Sequence, residues 1–240
     1  EAKGIIKRID GDANPEEMVS NIIEMDKSKP SESVFQKKYK HIILLAFTIS
    51  FFNQFSGINA FLYYSKRIFV EAGLESQAAL LGSIGIGVAN LIFTLLGMYF
   101  IDKIGRRKLM IIGSIGYIIS LFFVAFAFYF NWSGMVVPVS LFVFIGAHAI
   151  GQGAVIWVFI SEIFPNHVRS YGQSIGTSTH WILAFIIPAS VPLLITNIGA
   201  GTMFMIFAVM MVFQLLWVIY VMPETKGISL EDLENQLIDE

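Results

Sequence analysis

The chain contains no cysteine, and its charged residues are almost confined to its two ends. Without cysteine there is no disulfide framework, no thiol catalysis, no iron–sulfur cluster and no cysteine-ligated zinc site. Only 11 of the 34 Asp, Glu, Lys and Arg residues lie between positions 41 and 222, whereas residues 1–40 hold 16 and residues 223–240 hold 7. Because a soluble domain carries charge over its whole surface, this distribution excludes an ordinary soluble globule.

Several further absences narrow the function. The net charge is -2 and the basic residues form no stripe, so we expect no nucleic-acid partner. The four histidines show no HExxH spacing, and no glycine-rich loop ends in Gly-Lys-Ser or Gly-Lys-Thr. The apolar segments contain neither a carboxylate pair nor a nucleophile–base pair. We therefore expect no enzyme, no bound metal and no cofactor.

What the chain does contain is apolar sequence, 55% of its residues, with a mean hydropathy of +0.69. A helix needs roughly 20 apolar residues to cross the hydrocarbon core of a bilayer. Six segments without a charged residue meet that length: Ile42 to Tyr64, Ala78 to Ile101, Leu109 to Phe130, Val137 to Ile160, Gly172 to Ile195 and Gly201 to Met222. The sequence therefore predicts an all-α membrane protein with six transmembrane helices.

Lysine and arginine next to these segments predict the orientation. One side of the membrane receives nine of them and the other side only Lys66 and Arg67. By the positive-inside rule, both termini lie in the cytoplasm of a multi-pass protein of the plasma membrane, the inner membrane in bacteria. The first 40 residues lack the apolar segment of a signal peptide and the chain opens on Glu, so we expect a fragment of a longer protein.

Three regions follow from this pattern. Residues 1–40 are predicted to form a cytoplasmic linker, for which short amphipathic helices and a solvated segment are equally good interpretations. Residues 41–222 are the predicted membrane bundle. Residues 223–240 are the predicted cytoplasmic tail, where the order Ser-Leu-Glu-Asp from Ser229 indicates a capped, short acidic helix.

Glycines interrupt the first and the fourth predicted span, which are the first helices of two successive triples. Ser56 to Asn59 reads Ser-Gly-Ile-Asn, and Gly151 to Gly153 reads Gly-Gln-Gly. Carriers built from three-helix repeats have interrupted helices beside their binding site. Ordinary helix packing would explain each glycine alone, but their matching positions favour a cavity between the helices.

Uncharged polar side chains gather at these places. On a regular helix Gln54 and Asn59 point about 140° apart, whereas unwinding at Gly57 would turn both towards one cavity. Asn90 lies on one helical stripe with Ser83 and Thr94. For Ser83 and Thr94, tight packing is as good an interpretation as function, whereas function is favoured for Asn90. For His148 and His180, a hydrogen-bonded packing role is favoured over proton transfer.

The chemistry of this group suits a neutral polyol. Amide groups both donate and accept, as sugar hydroxyls do, and a tryptophan face can cover the apolar side of a sugar ring. An anionic substrate would require an Arg or Lys within the spans, and a cationic one an Asp or Glu. The predicted spans contain none of these.

Several segments together resemble the sugar porter family of the major facilitator superfamily, specifically its C-terminal six-helix half. They are Asn53 to Asn59 with Tyr63 and Tyr64, Asp102 to Arg107, Ser161 to Pro165 with Arg169, and Pro223 to Gly227. The resemblance covers nearly all of residues 42–227. It implies one half of a major facilitator fold, built as a 3+3 inverted repeat.

The resemblance also implies residue roles. The implied substrate-binding residues are Asn53, Gln54, Asn59, Tyr63, Asn90, Trp157, His180 and Trp181. The implied cytoplasmic charge network, which holds the two halves together when the carrier faces outward, is Asp102, Gly105, Arg106, Arg107, Glu162, Arg169 and Glu224. Two departures stand out: Gly151 to Trp157 lacks the prolines that the family usually has there, and His180 stands where Asn or Gln is common.

The resulting expectation is a carrier that moves a monosaccharide, a hexose or pentose such as glucose or xylose, by alternating access. Its partners would be an N-terminal six-helix half, the lipid bilayer and protons, with symport favoured over facilitated diffusion. Two alternatives stay open at this point, the six-helix permease subunit of an ATP-driven transporter and a sugar sensor that does not transport.

Overall fold

A computed structural model describes residues 14, 16, 19–20, 33–132 and 135–238. The regular structure of these residues is helical throughout. A 3-10 turn, Lys37–Tyr39, precedes α1 (Lys40–Phe55), α2 (Ile58–Glu71), α3 (Ser76–Ile104), α4 (Arg106–Tyr129) and α5 (Val136–His148), and a π-helical turn, Ala149–Gly153, leads to α6 (Ala154–Glu162), α7 (Arg169–Tyr220) and α8 (Leu230–Ile238). Most of the predicted 1–40 linker lies outside the described residues, so its helices stay a prediction.

Five helical segments of the described chain are long and apolar enough to cross a membrane. Two of them are the interrupted pairs α1–α2 and α5–α6. The fifth, α7, has 52 residues, about 78 Å at 1.5 Å per residue, which is more than twice the thickness of the hydrocarbon core. A helix of that length is too long to cross the membrane only once.

The contacts of α7 show that it folds back on itself at Gly199, whose dihedral angles (φ 81°, ψ 155°) are not helical. Gly201 lies against Tyr129 at one end of α4, whereas the carbonyl of Ile219 accepts a hydrogen bond from Arg107 at the other end. The six predicted spans are therefore present. The predicted loop from Thr196 to Ala200 is wrong, because only Gly199 leaves the helical conformation.

The helices pack around two apolar clusters, one at the charged end of the bundle and one in the opposite half. Between them, α4 and the π-helical turn touch backbone to backbone. A Cβ atom on Gly113 would lie 2.9 Å from the Cα of Gly151 and 2.9 Å from the carbonyl oxygen of Ala147. Small residues permit such close approach in membrane bundles.

The outer surface of the bundle exposes many large apolar side chains. Only 17% of the most apolar 18-residue stretch of α3 is buried. Leu81, Leu91 and Met98 of this helix are each about 60% exposed. A contiguous surface of this kind requires a bilayer or another protein against it. The chain is an integral membrane protein.

The tail helix α8 confirms the predicted capping pattern. The backbone N–H of Asp232 donates to the Ser229 hydroxyl at 3.1 Å, and that hydroxyl donates to the Asp232 carboxylate at 2.7 Å. Leu233 and Leu237 are buried in the cluster at the charged end. The tail therefore packs against the bundle.

Candidate substrate site

The first break, between α1 and α2, is built on Gly57. Its φ of 82° is left-handed, a conformation that costs residues with a Cβ atom about 1–2 kcal/mol. The neighbouring Ser56 hydroxyl donates to the carbonyl of Asn53 at 2.6 Å and so satisfies part of the interrupted backbone. Across the break, the Asn59 amide donates to the side-chain oxygen of Gln54 at 2.9 Å. The expected rotation of both amides towards one side is confirmed.

The second break is the π-helical turn Ala149–Gly153. A π-helical turn inserts one residue into the helix, and such turns often occur at functional sites. Glycines at positions 151 and 153 supply the irregularity. Gln152 points away from the cavity described below and donates to the side-chain oxygen of Gln214, whose amide donates to the Ser114 hydroxyl at 2.8 Å.

A cavity of about 300 Å³ lies between the two breaks. Its volume is at the small end of the range for ligand pockets. The polar and aromatic side chains on its wall are Asn53, Gln54, Asn59, Asn90, Thr94, His148, Trp157, His180 and Trp181. Seven of the eight predicted substrate-binding residues thus meet at one place.

The eighth, Tyr63, lies elsewhere. With Tyr64, Phe185 and Pro188 it lines a neighbouring cavity of about 360 Å³. Trp181 contributes to both cavities and lies between them.

Gln54 is the centre of the hydrogen-bond network in the main cavity. Its amide nitrogen donates to the side-chain oxygen of Asn53 at 3.0 Å and lies 3.1 Å from Nδ1 of His180. Its oxygen accepts from Asn59, so both ends of this buried amide are engaged. Within the described residues, the Asn90 side chain has no protein partner and offers its amide to the cavity. Because this amide is only partly buried, water or a ligand in the cavity can reach it.

Two indole rings flank His180. The ring centroids of Trp157 and His180 are 4.9 Å apart, and those of His180 and Trp181 are 5.3 Å apart, both edge to face. The indoles remain 43% and 62% exposed, so their faces are available to a ligand. Among the residues that the structure describes, no Asp, Glu, Lys or Arg lines the cavity. The site is equipped for an uncharged ligand with several hydroxyl groups and an apolar face.

The residues of the predicted charge network lie at the charged end of the bundle, where Arg106 forms two ion pairs. Its guanidinium forms a bidentate pair with Glu162, at 2.6 and 3.1 Å, and also contacts Asp102 at 2.9 Å. Glu162 further accepts from the Thr225 hydroxyl at 2.6 Å. Bidentate arginine–carboxylate pairs are among the stronger protein hydrogen bonds.

Glu224 caps the start of α4. Its carboxylate accepts from the backbone N–H groups of Arg106 at 2.8 Å and Arg107 at 3.2 Å, where the positive end of the helix dipole favours an anion. A Cβ atom on Gly105 would lie 2.5 Å from this carboxylate, which explains the glycine. The Arg107 guanidinium donates to the carbonyls of Val218 and Ile219.

Arg169 lies at the same end of the bundle. It donates to the carbonyl of Phe164 at 3.2 Å, while its buried Nη2 has no partner among the described residues. Together with Glu162 it lines a third cavity, of about 540 Å³.

Sequence reasoning missed three polar residues that act between helices. The Tyr117 hydroxyl is hydrogen-bonded to His148. Gln214 accepts a hydrogen bond from Gln152 and donates one to Ser114. Ser114 and Tyr117 lie in one apolar span and Gln214 lies in another, and only the contacts between spans give them a role. Ser83, by contrast, accepts from the Ser65 hydroxyl at 3.0 Å, in agreement with the packing interpretation.

The chain matches the "Sugar (and other) transporter" family model over residues 1–237. It is 34% identical to the arabinose-proton symporter of Bacillus subtilis over 239 residues, 98% of this chain and 52% of that protein. It is 33% identical to the D-xylose-proton symporter of Escherichia coli strain K12 over 241 residues, 98% of this chain and 49% of that protein. The chain thus spans about half the length of these relatives.

Solved structures agree with this match. A crystal structure of a double tryptophan mutant of XylE superposes with a TM-score of 0.87 at 33% identity, covering 98% of this chain and 51% of that one. The inward-open xylose transporter XylE from E. coli gives a TM-score of 0.74 at 32% identity, over 98% and 49%. The chain belongs to the sugar transporter family of the major facilitator superfamily.

Proposed function

We propose that this chain is the C-terminal six-helix half of a secondary carrier that moves a monosaccharide, a hexose or pentose such as glucose or xylose, together with protons. The observation that carries the proposal is the cavity between the two interrupted helices, whose described lining has amides and two indole faces but no charged side chain. Sugar-proton symport is supported by the names of relatives at 33–34% identity.

The proposed binding residues act by exchanging hydrogen bonds with water for hydrogen bonds with sugar. Asn59 and Gln54 reach the cavity together because Gly57 breaks the helix between them. Asn90 offers an amide from α3, and the indoles of Trp157 and Trp181 cover the apolar face of the sugar ring. Desolvated hydroxyl groups are costly unless they are paired, so several amides on one wall select for a polyol.

The partner is proposed to be an N-terminal six-helix half that closes the open side of the cavity. Alternating access would then be the rocking of one half against the other around the sugar. The termini of this chain would lie in the cytoplasm, at the end that carries nine of the eleven lysines and arginines near the spans.

The proposed role of the charge network is to bias this equilibrium. Arg106 and Glu162 are paired within this half, whereas Arg169, which lines a cavity with Glu162, has one buried nitrogen without a partner among the described residues. An ion pair formed with the other half in one state and broken in the other would favour the first state by the difference in free energy.

The test is sugar counterflow in proteoliposomes that contain the full-length carrier, across a panel of pentoses, hexoses and disaccharides without a proton gradient. We expect accelerated exchange of one or a few monosaccharides, and accumulation of the same sugar when an inward proton gradient is imposed. Protein-free liposomes are the control. Sugar binding without exchange would instead indicate a sensor, and uptake that requires ATP and is blocked by vanadate would indicate an ATP-driven permease.

A further inference from the structure

His148 is a polar side chain of the cavity wall that the predicted site does not include. It is the last residue of α5, directly before the π-helical turn, and it lines the same cavity as Gln54, Asn90 and His180. Sequence reasoning favoured a packing role for it. Its surroundings point to a different one.

The two nitrogens of the His148 ring have different environments. Nδ1 is hydrogen-bonded to the hydroxyl of Tyr117, a residue of α4 that is fully buried. The opposite edge of the ring faces Gly153, where an added Cβ atom would lie 3.5 Å from Cδ2 and 3.6 Å from Nε2. Gly153 itself lines the cavity. Because it has no side chain, it leaves the Nε2 edge uncovered.

Tyr117 fixes this orientation. The hydrogen bond joins α4 to the last residue of α5, at the start of the π-helical turn that borders the cavity. In either tautomer of His148 the bond to Tyr117 occupies Nδ1, so Nε2 is the nitrogen left for a ligand. Within the described residues, Nε2 has no hydrogen-bond partner.

We infer that His148 is a further sugar-binding residue, which hydrogen-bonds one hydroxyl of the substrate through Nε2, and that Tyr117 is the positioning residue that holds its ring. The inference rests on the proposed function and extends it to specificity. Gln54, Asn59 and Asn90 recognise hydroxyl groups from α1, α2 and α3, whereas His148 approaches from the side of the π-helical turn. The hydroxyl that it contacts is therefore one that these three amides do not select.

The experiment measures sugar binding to the purified full-length carrier by the change in tryptophan fluorescence, with Trp157 and Trp181 as reporters in the cavity. The probes are the best-transported monosaccharide and its singly deoxygenated analogues. We expect His148→Phe to lower the affinity for the parent sugar about tenfold, the usual effect of one hydrogen bond. One deoxy analogue should bind wild type and His148→Phe equally well, because it lacks the hydroxyl that His148 contacts.

Two further variants separate binding from structure. His148→Gln keeps a donor and an acceptor and should restore most of the discrimination for that hydroxyl. Tyr117→Phe should weaken the same discrimination. The matched control is Tyr39→Phe, which removes the other tyrosine–histidine hydrogen bond, to His167 at 2.7 Å at the charged end, and should leave sugar selectivity unchanged.

The possible results are distinct. A loss of affinity of equal size for every analogue would overturn the inference, since a structural defect does not depend on which hydroxyl is missing. Unchanged affinity in His148→Phe would overturn it as well. Wild-type protein that binds no sugar of the panel would overturn the proposed function itself, and the role of His148 with it.

Discussion

The amide of Asn59 donates to the side-chain oxygen of Gln54 at 2.9 Å, although the two residues would point about 140° apart on a continuous helix. The break at Gly57 makes this contact possible. It also means that Gln54, which further contacts Asn53 and His180, organises the cavity in addition to lining it. Asn90 lines the cavity without such contacts.

This difference leads to the first prediction. Asn90→Ala removes one amide and should raise the apparent KM for the sugar about tenfold. Gln54→Ala should raise it further, because Asn59 and His180 lose their common partner. Transport assays on the full-length carrier measure both. Thr196→Ala is the control, since that hydroxyl donates to the carbonyl of Pro192 outside the cavity and its removal should leave KM unchanged. A larger effect in Asn90→Ala than in Gln54→Ala would contradict this order.

A second prediction concerns Gly57. In Gly57→Ala the new Cβ atom meets the ring of Phe207 at 2.6 Å, and the backbone also keeps a left-handed φ. Gly73→Ala is a matched control, because Gly73 has a φ of 92° but no atom within 4 Å of the added Cβ. We expect Gly73→Ala to cost about 1–2 kcal/mol of stability and Gly57→Ala about 1–3 kcal/mol more.

Thermal unfolding of the detergent-solubilised carrier measures both changes. Gly57→Ala should also weaken sugar binding, because relief of the contact with Phe207 shifts the break and with it the distance between Gln54 and Asn59. Equal melting temperatures for the two variants would show that Phe207 moves aside without cost.

The third prediction compares the two carboxylates that contact Arg106. Asp102 is 78% exposed and Glu162 is 23% exposed, while the arginine side chain is 9% exposed. Exposed pairs contribute at most about 1 kcal/mol, whereas loss of one partner of a buried pair costs about 3 kcal/mol or more. Glu162→Gln should therefore lower the melting temperature clearly more than Asp102→Asn. The reverse order would mean that the bidentate pair adds little to stability.

The fourth prediction concerns the buried amides Gln152 and Gln214. Gln214→Leu leaves the amide of Gln152 without its partner and should cost about 2 kcal/mol. The double variant Gln152→Leu/Gln214→Leu removes both groups and should lose less than the sum of the two single variants. Thermal unfolding of Gln152→Leu, Gln214→Leu and the double variant gives the double-mutant cycle. Strict additivity would indicate that the two amides do not depend on each other.

The sequence predicts the membrane spans well because the bilayer requires long apolar runs, and the six runs are separated by charges or turns. The predicted gap between the last two spans is wrong because residues 196–200 are uncharged and can be helical. Composition therefore cannot show that only Gly199 interrupts the helix. The site is predicted where an apolar span contains amide side chains, as the first span does with Gln54 and Asn59 and the second with Asn90.

Contacts between spans could not be predicted. Tyr117 and Gln214 lie in apolar spans, and their partners lie 31 and 62 residues away in the chain. Such pairs depend on how the helices pack, and one sequence alone holds no record of that. The same applies to Glu224, which caps a helix that begins 118 residues earlier.

The backbone contact between Gly113 and Gly151 has a consequence for mutational scanning of this carrier. Neither position can accept a Cβ atom without moving a span, so both should tolerate no replacement, although neither lines the cavity. A mutational scan would therefore report these glycines as intolerant in the same way as Gln54 and Asn90. Only a screen that varies the sugar would separate them, because the glycines should fail with every sugar, whereas the ligand residues should fail unevenly.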